Sequence, residues 1–512
     1  MKKSVTFIAF VCILCMALCT FASACTTLYT GSALTVDGGV YFSRSEDISN
    51  SYNKVMYVAP AGKHVAGEVY SGCYGFTYTF TKDSYSYTAF SDDNLLGICP
   101  DCGGEHEHTP YQAGGTNSMG VTMTATETLY GDDSADPCED LGIEEAEIVT
   151  VILSESASAK EAVELLCSIY DTAGANCASG LIIADANEAW YMENLTGHTY
   201  VAVKCAPGTV FTEPNTSIIG AIDLDDTENV IYSANLMEVA QATGNFVGDA
   251  EKNIINYADT FCGVQSANAR MINALNWLNP SYAFGEDNMP EESVFQLTNV
   301  DENGEITAVK TGIVTEKVFG AAEFIDFYKI SNIGYERNLE THIFGIKDAS
   351  ATGTVEWAAM DDASCNVFVP YYPLLTTDTA ACLKVGTEPA GFVTEQPEGG
   401  AFYPTTKTVW TAEGRASVEG FVVLPEGWES SYYWCADALT NAVKFCGVSE
   451  ETVVNVKAQL AEMQDSFFAQ FDAATQEIAA NPDGAAEIAT AASMNMAEQA
   501  QAKLYELYVN LK

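Results

Sequence analysis

The stretch Ala22-Ser23-Ala24-Cys25-Thr26-Thr27 most constrains this chain, because an export signal ends there and a cysteine follows at once. Met1-Lys2-Lys3 supplies a positive start, residues 5–21 an apolar run, and Ala22-Ser23-Ala24 a small-residue cleavage site. A membrane span needs about 20 apolar residues, and this run is shorter and leads into polar, strand-like sequence. No later stretch is long and apolar enough to cross a bilayer. The mature protein is therefore expected to be secreted or extracytoplasmic, and off the membrane once residues 1–24 are gone. Cleavage after Ala24 would give Cys25 both a thiol and a free α-amine, a nucleophile and a base on one residue.

Charge and cysteine usage narrow the partners. With 70 acidic against 22 basic residues the formal net charge is -48, which repels nucleic acid and anionic membrane surfaces. Of 16 cysteines, Cys12, Cys15 and Cys19 lie in the signal, leaving an odd 13. Export favours disulfides, so twelve could pair and leave Cys25 over, whereas a reducing niche would leave many thiols. No pairing is assigned.

Two short strands, residues 25–29 and 40–43, are expected around a turn at Val36-Asp37-Gly38-Gly39. The second runs into Ser43-Arg44-Ser45-Glu46-Asp47, where Arg44 and Asp47 could flank the first residue or form a surface ion pair. Residues 50–98 alternate as sheet does, for example Tyr74-Gly75-Phe76-Thr77-Tyr78. Cys99-Pro100-Asp101-Cys102 followed by His106 and His108 reads as a structural Zn2+ loop, or as a small disulfide loop or solvated insertion, since no second Cys-x-x-Cys follows. Residues 143–167 read as one helix, and 180–186 with 189–193 as a hairpin. Sheet, helix and sheet again predict a layered α+β domain.

These residues together carry a resemblance. Cys25-Thr26-Thr27 at a processed end, Ser43-Arg44-Ser45-Glu46-Asp47, Gly115-x-Asn117 with Gly120-Val121 and Ala125-Thr126-Glu127-Thr128, Trp190-Tyr191-x-Glu193 with Gly197-His198, and Asn215 before Ile219-Gly220 resemble the dipeptidase A family of cysteine N-terminal-nucleophile hydrolases. Asn268-Ala269-Arg270, Thr341-His342-Ile343-Phe344, Val367-Phe368-Val369-Pro370 and Tyr433-Trp434 continue the ordered match to about residue 445. The resemblance implies a four-layer αββα sandwich and a dipeptidase. It implies Cys25 as nucleophile with its α-amine as base, and Arg44 and Asp47 flanking it, as in the related bile salt hydrolases and penicillin V acylases. It implies Asn215 as an oxyanion donor, Arg270 as an arginine that supports the site, its alternative being a surface or ion-paired arginine, and Asn117 and Glu127 beside a strand lining the substrate pocket. The 99–108 loop departs from the family as an insertion, and Thr212-Glu213-Pro214 departs from the usual lead-in to Asn215.

The catalytic domain is expected over residues 25–448. Residues 449–512 turn rich in Ala, Glu and Gln, with Val453, Val456, Leu460, Met463, Phe467 and Phe471 at helical spacing and a break at Asn481-Pro482-Asp483-Gly484, which predicts a helical pair. The substrates implied are small peptides, and the implied catalysis asks for no cofactor; homo-oligomerisation stays open. Two other classes remain: an acyl-amide hydrolase of the same fold, and a lipid-anchored binding protein, because Ala22-Ser23-Ala24-Cys25 is also a loose lipobox.

Overall fold

The structure is a computed structural model and describes residues 25–47, 53–72, 74–93, 110–124, 127–300, 306–307, 313–388, 390–398, 400–411 and 414–511. Two antiparallel sheets form its centre. The smaller has six strands in the order Val210–Glu213, Thr26–Thr30, Val40–Asp47, Asn338–Ile346, Thr354–Met360, Val369–Tyr371. The larger runs Val230–Tyr232, Tyr200–Lys204, Ala189–Asn194, Ser179–Ala184, Thr122–Thr124, Gln112–Asn117, Tyr87–Asp92, Lys54–Ala59, with the short strand Glu127–Thr128 also pairing onto Ser179–Ala184. These strands are almost wholly buried on both faces, so they read as apolar and aromatic runs with embedded polar groups rather than as clean alternation.

The sheets face each other. The Tyr191 ring on the larger sheet lies 4.9 Å from that of Phe211 on the smaller, and Phe90 stacks 5.9 Å from His342. Thr88 Oγ1 donates to Glu356 Oε1 across the same gap at 2.8 Å. Helices Glu145–Glu155 and Ala159–Thr172 cover the larger sheet, and Ala321–Phe327 and the C-terminal helices cover the smaller. Helix, sheet, sheet and helix make the expected α+β sandwich.

The turn ahead of the second strand forms at Asp37-Gly38-Gly39: Asp37 Oδ1 accepts from Gly39 N at 3.0 Å and Gly38 takes φ +76°, which a side chain would resist. The single helix expected over 143–167 is two, split at Ser156-Ala157-Ser158. Ser158 Oγ accepts from Glu161 N and so caps the second helix, a competition with helix continuation that serine commonly wins. The C-terminal pair is present as Glu450–Ala480 and Ala485–Leu511, broken where Asn481 caps the turn Pro482–Gly484. Val456, Leu460 and Phe467 of the expected stripe are buried, and Phe471 stacks on Tyr372 at 4.7 Å and tilts against Trp357 at 5.3 Å. No helix among the described residues is long and apolar enough to cross a membrane.

Candidate active site around Cys25

Register places the thiol. Thr27 pairs with Arg44 across the first two strands, so both face the slot between the sheets, and Cys25, two residues ahead of Thr27, shares that face. Cys25 is fully buried, and Arg44 Nη2 donates to its Sγ at 3.0 Å. Arg44 is itself fully buried, a position that a cation holds only with partners. Its Nη1 donates to Tyr111 Oη at 2.8 Å and its Nη2 also donates to Glu145 Oε1 at 3.1 Å, while Tyr111 Oη donates to the same Oε1 at 2.9 Å. Burial pushes the Tyr111 hydroxyl far up in pKa, with the Arg44 charge opposing, so it stays protonated as that donor.

Arg270 closes the other side. From helix Ala269–Leu278 its Nη1 donates to the Cys25 carbonyl and to Thr26 Oγ1, the latter at 3.0 Å, and its Nη2 to Asn215 Oδ1 at 2.6 Å. Asn215 sits at φ +57°, a left-handed conformation that asparagine tolerates better than most residues, and its Nδ2 donates to Thr128 O at 3.0 Å. Asp47 is buried as the last residue of the second strand, where Asn338 Nδ2 donates to its Oδ1. Burial pushes its carboxyl up to about 6, against the charge of Arg270, the hydrogen bond from Asn338 and the charge of Arg337.

The structure thus brings Cys25, Arg44, Asp47, Asn215 and Arg270 into one neighbourhood. Asn117 is placed differently. Its Nδ2 donates to Leu153 O at 2.9 Å and Ser156 O at 2.7 Å, and its Oδ1 accepts from Met119 N and Val121 N. The amide is spent on holding a turn against a helix end, which leaves it nothing to offer a substrate. Glu127 lies on the strand Glu127–Thr128, whose Thr128 carbonyl meets Asn215. The loop with Cys99, Cys102, His106 and His108 lies outside the described residues; among the described residues no group of three or more His, Cys, Asp or Glu could hold a metal. Cys167, Cys177, Cys205, Cys262, Cys365, Cys382 and Cys435 are thiols, not disulfides.

Several site residues escaped the sequence reading. Tyr111 and Glu145 tie Arg44 in place, Tyr328 Oη donates to Thr26 O at 2.8 Å, and beside Asp47 a turn closes as Tyr335 N donates to Asn338 Oδ1 and Asn338 N to Tyr335 O. One signal was available. The chain has four arginines, Arg44, Arg270, Arg337 and Arg415, and the first three gather at Cys25 and Asp47. In a chain of net charge -48, three of its four arginines thus meet the acidic side chains at this end of the smaller sheet.

The family model for peptidase family C69 matches residues 24–395. The chain belongs to peptidase family C69. Among relatives of this C69 chain, the "Probable dipeptidase B" of Streptococcus pyogenes serotype M18 is 33% identical over 228 residues, 44% of this chain and 44% of that protein. The match thus spans less than half of that relative's length. The "Dipeptidase" of Bifidobacterium longum is 23% identical over 399 residues, 70% of this chain and 72% of that one. A mutant conjugated bile acid hydrolase from Clostridium perfringens overlays with a TM-score of 0.31 and 12% identity, covering 68% of this chain and 96% of that one, too distant to bear on the site.

Proposed function

We propose that this C69 peptidase is an exported cysteine dipeptidase in which removal of residues 1–24 makes Cys25 the N-terminal nucleophile. The observation that carries the reading is the buried contact from Arg44 Nη2 to Cys25 Sγ at 3.0 Å, with Arg270 holding the Cys25 backbone and the Asn215 amide on the other side. The family match opening one residue ahead of Cys25 and the dipeptidase names of the relatives support it.

The chemistry runs on this chain's own groups. An α-amine titrates near pH 8, so a useful fraction is neutral near pH 7 and takes the thiol proton, directly or through one water. The thiolate attacks the peptide carbonyl carbon, and the oxyanion that forms lies against the Asn215 amide N–H. Collapse breaks the C–N bond as the α-ammonium returns its proton to the leaving amine, leaving a thioester. Water then attacks the thioester with the amine again as base, releasing the amino acid and restoring the thiol. No step asks for a metal; zinc held by Cys99, Cys102, His106 and His108 would be structural.

The test uses wild type, Cys25→Ser and Cys25→Ala proteins whose mature N-termini are read by mass spectrometry, assayed on dipeptides and on N-acyl amino acids. The expected result is a chain beginning at an unmodified Cys25, turnover of dipeptides, and loss in Cys25→Ala. A diacylglyceryl mass on Cys25, or undiminished turnover in Cys25→Ala, overturns the proposal.

A further inference from the structure

A dipeptide differs from an N-acyl amide at one atom that an enzyme can read, the charged α-nitrogen of the residue whose carbonyl is attacked. That nitrogen lies about 2.5 Å from the carbonyl carbon by covalent geometry, and the carbon must approach the attacking sulfur to about 3–3.5 Å. A carboxylate that reads it must therefore lie within roughly 5–8 Å of Cys25 Sγ and be reachable from solvent.

Asp47, Glu46 and Glu145 lie near the thiol and its arginine, as do Glu213 opposite Thr27 and Glu340 opposite Glu46, both fully buried, and burial separates the first three. Asp47 is fully buried, bonded by Asn338 and faced by Arg270 and Arg337. Glu46 points along the slot to Lys54, which bonds it at 2.6 Å with both side chains nearly closed off. Glu145 alone of the three keeps an open edge, with 18% of its side chain exposed while Arg44 beside it has none. Arg44 Nη2 touches both Glu145 Oε1, at 3.1 Å, and Cys25 Sγ, at 3.0 Å, which holds Oε1 within about 6 Å of the sulfur. Among the described residues the two hydrogen bonds to this carboxylate fall on Oε1, from Arg44 and from Tyr111. An ionised carboxylate has about four acceptor sites, so Oε2 keeps its acceptor capacity.

We infer that Glu145 is a specificity residue that binds the free α-ammonium of the substrate. This inference rests on the dipeptidase reading and refines it: the site takes peptides with an unblocked amino terminus and turns away N-acylated amides. The ammonium completes an Arg44, Glu145, ammonium row in which the carboxylate lies between two cations. A neutral acylated nitrogen brings no charge to that row and sets its acyl group against the carboxylate, which must then give up water for nothing. Tyr111 and Arg44 fix the carboxylate in advance, so little ordering is left for binding to supply.

The experiment measures kcat/KM of full-length mature protein on a free dipeptide and on the same dipeptide N-acetylated, for wild type, Glu145→Gln and Glu145→Asp, with a thermal melt of each. Wild type is expected to favour the free dipeptide. Glu145→Gln, which keeps an acceptor for Arg44 and Tyr111, is expected to cut that preference by roughly 10- to 100-fold, the discrimination of one charge-assisted hydrogen bond, mainly through KM. Glu145→Asp, with charge retained, is expected to recover part of it, and this arm decides if the Gln variant does not fold. An equal loss on both substrates would mean that Glu145 acts only through Arg44 and would overturn the inference, as would an unchanged preference. Wild type that cleaves the acetylated compound and not the free dipeptide would instead bring down the dipeptidase reading itself.

Discussion

Arg270 Nη2 donates to Asn215 Oδ1 at 2.6 Å while Asn215 Nδ2 donates to Thr128 O at 3.0 Å, and the two bonds together decide which way the Asn215 amide faces. An amide has one acceptor end and one donor end, so a cation fixed on the oxygen turns the N–H pair away from itself. The proposed oxyanion donor is thereby set before substrate arrives.

Asn215→Ala is expected to lower kcat about 10²- to 10³-fold, the usual cost of losing one oxyanion donor. Arg270→Gln should show a comparable kcat loss by releasing the amide. It should also lower the melting temperature, because Arg270 additionally ties down the Cys25 carbonyl and Thr26 Oγ1. Steady-state kinetics on one dipeptide, with melts alongside, check both. An Arg270→Gln protein with wild-type kcat would detach Arg270 from the amide's role.

Arg44→Gln removes a fully buried cation and leaves Glu145 and Tyr111 facing each other without it. Breaking a buried ionic group by removing one member typically costs about 3–5 kcal/mol. Urea unfolding is expected to show a loss of that order together with loss of turnover. Unchanged stability would mean that the Arg44, Tyr111, Glu145 cluster does not form.

Glu356 supplies a pH signature away from the thiol. Burial pushes its carboxyl from 4.5 up to about 7, with hydrogen bonds from Thr116 and Thr88 opposing. A carboxyl whose folded pKa lies above its unfolded value contributes its full stability below the unfolded pKa and loses it as pH climbs through the folded one. Stability is thus expected to fall between about pH 4.5 and pH 7 by roughly 3 kcal/mol on this account. Glu356→Gln should flatten that part of the melting-temperature profile, and a wild-type profile with the same slope as the variant's would contradict it.

Much of this was legible in the chain. The Asp37-Gly38-Gly39 turn returns the second strand beside the first, and that alone carries Arg44 to Cys25. The C-terminal pair was legible because helical spacing and an Asn-Pro-Asp-Gly break are local signals. Asn117 was not, because a Gly-x-Asn turn reads alike whether its amide faces a pocket or, as here, the backbone of Leu153 and Ser156. Glu145 was hidden for a similar reason: in Glu144-Glu145-Ala146-Glu147 it looks like any acid at a helix start, and only the packing of that helix on the Gln112–Asn117 strand aims it at Arg44. The 143–167 segment reads as one helix because its apolar period runs through Ser156-Ala157-Ser158, where the structure breaks it in two.

The central claim is that cleavage makes the enzyme, by creating the α-amine that serves Cys25 as base. Its most direct test is the turnover of one dipeptide by two purified proteins of verified mass, one beginning at Cys25 and one retaining Ala24 ahead of it. The account predicts turnover by the first and a loss of at least about 10²- to 10⁴-fold in the second, the contribution of a positioned general base. Equal turnover by both would contradict it.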